Sequence, residues 1–169
     1  MKTPELCLQA VKTNGAALEF TPPQFKTEAL CRTALETEPL ALKFVPGNLI
    51  TPELCQYAVE NDGWAIKHVP KQFRNPELWR AAVSESGYLL KELPAQLVTE
   101  EICRLAVANN GKALEFVPWG QINLSVSAAK ELFFTAVKQD GKALKFVDVN
   151  MLTPEEYTEL CKIAFYREE

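Results

Sequence analysis

Apolar positions in this chain follow a pattern that returns every 24 residues. In the first stretch, Leu6, Cys7, Ala10 and Val11 stand at i, i+1, i+4 and i+5, one broad apolar stripe at helical spacing with polar residues between. Gly15 follows, then Ala17, Leu18 and Phe20, then Pro22. Cys7, Cys31, Cys55, Trp79 and Cys103 hold the same place at steps of 24, and Phe133 and Cys161 continue the row after steps of 30 and 28. A fixed period of this length marks an array of supersecondary units, each burying its apolar face against its neighbours.

Each unit opens with a helix start signal. Thr3, Pro4 and Glu5 supply an N-cap, a first-turn proline whose missing N–H costs nothing there, and a carboxylate at the positive end of the helix dipole. Thr51-Pro52-Glu53, Asn75-Pro76-Glu77 and Thr153-Pro154-Glu155 repeat it. The row Ala10, Ala34, Ala58, Ala82, Ala106, Ala136 and Ala164 lets neighbouring helices approach closely. After the glycine, a shorter segment of about two turns, in part 3₁₀, is expected to stop at the proline. Phe25, Leu49, Phe73, Leu97 and Met151 precede the next cap and are expected to pin the following helix.

The predicted fold is therefore all-α, a right-handed α-solenoid of short helical hairpins. One domain over residues 1–169 holds six repeats, at about 3–26, 27–50, 51–74, 75–98, 99–124 and 125–152, with a C-terminal capping helix over 153–169. Helix content of about 55 to 70% is expected, above the globular average. Gly15, Gly63, Gly87, Gly111 and Gly141 are read as left-handed residues that end the long helices. Pro39 stands where the second repeat lacks its glycine, so a different turn is expected there. Ser125 and Thr153 lie eight positions before their core residues instead of four, which adds one turn to the last two long helices and leaves two extra residues near Trp119-Gly120. Leucine-rich repeats share the period but need a strand motif that this Ala- and Glu-rich stretch lacks.

Composition narrows the class without naming a function. Apolar residues make up 47% and charged residues 24%, with a net charge of −4, which fits a soluble domain and argues against a phosphate-tracking surface. No apolar run is long enough to span a bilayer, and the first repeat begins at Thr3 with no room for a signal sequence, so no membrane contact and a cytoplasmic location are expected. The five cysteines share their row with Trp79 and Phe133, which are not metal ligands. Reduced, buried core thiols are expected, with no metal and no cofactor.

The string Ala-Val-x-x-x-Gly-x-Ala-Leu-x-Phe, written at Ala10 to Phe20 and again at Ala136 to Phe146, resembles a bacterial tandem-repeat family of unknown function. The likeness covers nearly the whole chain and departs at Pro39, His68 and Glu92. It implies a bacterial origin, tandem helical units and no catalytic residues to carry over.

Candidate chemistry is sparse. His68 is the one histidine, and no Cys-x-x-Cys, phosphate-cradling glycine loop or zinc helix is present, so an enzyme is disfavoured. What varies is the surface: Trp64 and Tyr88 follow the glycine in repeats three and four, and His68 and Glu92 replace the row of Phe residues four positions later. On a helix, i and i+4 share a face. Trp64, His68, Tyr88 and Glu92 are thus the candidate contacts for a protein or peptide partner, with Lys67 and Lys91 as electrostatic support. A structural alternative has His68 paired with Glu92 at a half-buried site. Arg32, Arg80, Arg104 and Lys162 form a second basic row, expected to pair with helix glutamates as a solvated face. Apolar Leu8 and Phe134 stand where polar residues are the rule, and the end repeats offer core-type surface for self-association. The predicted function is a non-catalytic protein-interaction scaffold. A one-base-per-repeat nucleic-acid binder, which net acidity disfavours, and a structural spacer from a longer array are the alternatives.

Overall fold

The computed structural model describes residues 3–166. Helical segments account for 77% of it, and the described residues contain no strand. The content exceeds the expected range because five of the seven long α-helices are followed by two 3₁₀ segments instead of one. The long helices are α1 (Pro4–Thr13), α2 (Glu28–Thr37), α3 (Pro52–Asn61), α4 (Pro76–Glu85), α5 (Glu100–Asn109), α6 (Val126–Gln139) and α7 (Pro154–Phe165). Six-residue 3₁₀ segments follow the first six of these, starting at Gly15, Pro39, Gly63, Gly87, Gly111 and Gly141. Three-residue 3₁₀ turns then end at Phe25, Leu49, Phe73, Leu97 and Met151, the residues expected to pin the next helix.

The chain divides into two compact units, the first ending at Glu85 and the second beginning at Ser86. In the first, Val11, Leu18, Leu35, Leu42, Cys55, Val59 and Ile66 are fully buried. In the second, Leu89, Cys103, Leu114, Leu132, Phe133 and Leu160 form the core. The cysteine row is thus packing material: all five thiols are free, Cys7, Cys31, Cys55 and Cys103 are buried, and Cys161 is half-buried. Burial pushes the Cys55 and Cys103 thiols up to about 11, which keeps them protonated and unreactive at neutral pH.

Each α-helix starts as its cap predicts. The side chains of Thr3, Thr27, Thr51, Asn75, Thr99 and Ser125 accept a hydrogen bond from the backbone N–H three residues on. At α7, Thr153 and Glu156 form a reciprocal capping box. Helix α6 carries the extra turn and runs for 14 residues. The two further residues lengthen the loop after Pro118, where Trp119 folds back onto Phe133 with ring centroids 5.2 Å apart.

The helix ends do not follow the predicted turn. No described residue, glycine included, has a positive φ. The reversal is made instead by the residue before the glycine, in extended conformation: Asn14, Asp62, Asn110 and Asp140 have φ between −152° and −145°. Each donates its N–H to the last turn of the long helix and uses its side-chain oxygen to cap the 3₁₀ segment, accepting from the N–H two residues on. Glycine is required for space. A Cβ on Gly141 would lie 2.7 Å from the carbonyl oxygen of Ala164 on the next long helix, and Gly15, Gly87 and Gly111 sit still closer to Ala34, Ala106 and Ala136. The Gly row and the Ala row are the two halves of one close contact.

Pro39 also departs from expectation. Helix α2 ends as the others do, with Glu38 extended and its N–H bonded to Ala34, and Pro39 opens the 3₁₀ segment where a missing N–H is harmless. The turn is unchanged, but a pyrrolidine ring now stands in the row reserved for hydrogen. Correspondingly, α2 and α3 meet far more sparsely than α1 with α2 or α3 with α4.

Candidate functional site

Trp64, Lys67 and His68 belong to the first unit and Tyr88, Lys91 and Glu92 to the second. Trp64 is the second and His68 the last residue of the 3₁₀ segment Gly63–His68, whose geometry differs from the α-helical spacing behind the expected pairing. With three residues per turn, i and i+3 eclipse while i+4 is rotated by about 120°. Trp64 therefore meets Lys67, whose Nζ lies 4.7 Å from the indole centroid. Tyr88 is half-buried and packs against Phe116 of the next repeat, ring centroids 5.7 Å apart, while Lys91 and Glu92 are exposed.

The surroundings of His68 give the first unit its character. The residue is exposed as a whole, yet its imidazole is held below the usual histidine pKa. Partial burial of the ring is the largest cause, followed by the positive charges of Lys43, Arg74 and Lys67. A neutral imidazole thus sits among three cations. Lys43 Nζ also lies 4.7 Å from the ring centroid of its neighbour Phe44, so two lysines of the first unit are laid across aromatic faces.

Backbone carbonyls hold two further cations in place. Arg74 donates from Nε to the carbonyl of Val69 at 2.9 Å and from Nη2 to that of Lys67 at 3.1 Å. Lys26 Nζ reaches the Phe44 carbonyl at 3.0 Å. Both cations bind at the C-terminal ends of 3₁₀ segments, where carbonyls lack partners and the dipole is negative. Sequence reasoning missed Phe44, Arg74 and Lys26, because their positions in the repeat are not uniformly basic or aromatic. The signal for Arg74 was its place just before the cap Asn75, within reach of the preceding segment's end.

Other polar chemistry is structural. Arg104 binds Glu100 at 2.9 Å and Glu131 of α6 at 2.6 Å, and Lys130 binds Glu156 of α7 at 2.7 Å. The last residues of α2, α5 and α6 reach back to the preceding repeat. Thr37 donates to the Val11 carbonyl at 3.1 Å, and the Asn109 and Gln139 side-chain oxygens accept from the N–H groups of Gly87 and Gly111 at 2.8 and 2.9 Å. A cleft of about 140 Å³ between α3 and α4, lined by Gln56, Glu60, Phe73 and Glu77, is well under the ~300 Å³ of a small-molecule site. Among the described residues no cluster of His, Cys, Asp or Glu could hold a metal ion, and no helix is long and apolar enough to cross a membrane.

No protein-family model, no curated protein and no solved structure matches this chain.

Proposed function

We propose that this chain is a non-catalytic cytoplasmic scaffold, akin to the bacterial tandem-repeat family its sequence resembles, that holds an acidic segment of a partner protein. The ridge of Lys43, Phe44, Trp64, Lys67, His68 and Arg74 is the main contact, and Tyr88, Lys91 and Glu92 are contacts of the second unit. One observation carries the reading: Lys43, Arg74 and Lys67 gather their charges about one imidazole, which partial burial first and those charges second keep neutral, on a chain whose net charge is −4. Like charge gathered at one place costs free energy that a carboxylate-rich partner recovers. Aromatic faces under two of the lysines add apolar contact for such a partner.

The test uses a synthetic peptide of alternating Glu and Phe as probe, followed by fluorescence anisotropy. Binding is expected to weaken as salt screens it and to fall more than tenfold in the Lys43→Glu/Lys67→Glu double variant, whose two sites are exposed and leave helix content intact. As the one histidine in the chain, His68 reports independently by NMR. Bound carboxylates stabilise the imidazolium, so its pKa rises on binding; the complex takes up protons and tightens as pH falls from 7 toward about 5, above the carboxylate range. Affinity unchanged by the double charge reversal, or a His68 titration indifferent to peptide, sinks the reading. An oligonucleotide that outcompetes the peptide would move the ridge to the nucleic-acid alternative.

A further inference from the structure

One row of the six-residue 3₁₀ segments is exposed in every repeat: Glu19, Lys43, Lys67, Lys91, Glu115 and Lys145. Packing leaves the charge at these positions free to vary, and it varies in sign. In the first unit the row reads minus, plus, plus at Glu19, Lys43 and Lys67, each the last residue but one of the segments Gly15–Phe20, Pro39–Phe44 and Gly63–His68. These three segments stack in that order, each against the next.

The two lysines are tied down. An aromatic ring holds Nζ of each at 4.7 Å from its centroid, and the Lys43 charge acts on His68 in the next repeat. A side chain already held in place loses less freedom when a partner binds, so each charge has a defined position to offer.

We propose that the ridge takes an extended segment in polyproline II conformation whose charges recur every third residue, a cation against Glu19 and carboxylates against Lys43 and Lys67. This rests on the reading of the ridge as a site for an acidic segment and specifies the form of that segment. Packed helices lie ~8–10 Å apart, which sets the step between equivalent side chains of successive repeats. Polyproline II turns once in three residues and rises about 9 Å in doing so, so residues i, i+3 and i+6 face one side at the step of the repeats. A β-strand returns to the same side after two residues and about 7 Å, short of that step. An α-helix returns after seven residues and about 10.5 Å, but helices dock in apolar grooves, and here the rings lie under ammonium groups.

The probes are proline peptides of equal charge and length, read by fluorescence anisotropy on the whole chain. One carries Lys-Pro-Pro-Glu-Pro-Pro-Glu, in either chain direction, and its isomers place the same charges two or four residues apart. The spacing of three is expected to bind about fivefold tighter than either isomer, the upper worth of one exposed ion pair. Glu19→Lys should reverse the wild-type preference for Lys-Pro-Pro-Glu-Pro-Pro-Glu over Glu-Pro-Pro-Glu-Pro-Pro-Glu. Glu36→Lys, the same charge change at an exposed position of α2, should leave it in place, with circular dichroism to verify both folds. Equal affinity for all spacings, a preference unmoved by Glu19→Lys or moved as much by Glu36→Lys, or tighter binding of a helical peptide with Glu at every seventh position overturns the threefold register and leaves an acid-binding ridge standing. No binding of any acidic peptide removes ridge and register together.

Discussion

Replacing Gly87 with Ala separates two reasons for a glycine at the end of a helix. A Cβ there would stand 3.0 Å from the Ala106 carbonyl carbon, 3.3 Å from its Cα and closer still to its oxygen. All three atoms are backbone of α5, so no side chain can swing away; the 3₁₀ segment Gly87–Glu92 and α5 must move apart along their contact. Overpacking of this kind costs ~1–3 kcal/mol, and an unyielding backbone puts it at the upper end. Loss of unfolded-chain entropy returns ~0.4–1 kcal/mol, leaving a net loss of about 2 kcal/mol. At roughly 2–4 °C per kcal/mol for a chain of this size, the melting temperature should drop by about 4–8 °C. Gly47, where a methyl would meet nothing within 4 Å and φ is not positive, is the control; its Ala variant should be neutral or slightly stabilised. Urea denaturation followed by far-UV circular dichroism measures both. Gly87→Asn decides the cause, since Asn tolerates left-handed backbone but not lost space. Gly87→Ala as stable as Gly47→Ala, or restoration by Asn, would refute the close-contact account.

Asn109→Ala should leave the buried Gly87 N–H without its acceptor and cost ~1–3 kcal/mol, with faster hydrogen exchange at the Gly87 amide; unchanged exchange there would dismiss the role of Asn109 as a clasp between repeats. Iodoacetamide at pH 8 should modify half-buried Cys161 first and Cys55 and Cys103 last, because burial holds the latter two near pKa 11; peptide mass mapping reads the order, and early loss of Cys55 or Cys103 contradicts it.

The period, the helix starts and the core rows were legible because each depends on residue type at fixed spacing. Thr-Pro-Glu has few uses besides opening a helix, and a column of Cys, Trp and Phe has few besides filling. The glycines were harder: a left-handed turn and a missing side chain call for the same residue, and only the neighbouring Ala column hints at the second. The candidate site suffered from helix type. Trp64 and His68 share a face if the segment is α-helical and not if it is 3₁₀, and six residues carry too little periodicity to tell the two apart. Lys67, offered as support, turned out to be the partner of Trp64, while Arg74 and Lys26 act through carbonyls that composition cannot reveal.

Pro39 leaves α2 and α3 meeting more sparsely than the helix pairs on either side of them, and in a molecule held together by neighbour-to-neighbour coupling a sparse joint is one at which the repeats can part. Opening there parts α1 and α2 from the rest of their unit without disturbing either helix's own hydrogen bonds. The ring that fits the local turn so well therefore also weakens the contact with the next repeat. Lys26, whose ammonium grips the Phe44 carbonyl, binds the first repeat to the second on one side of that joint and leaves the joint itself unbridged.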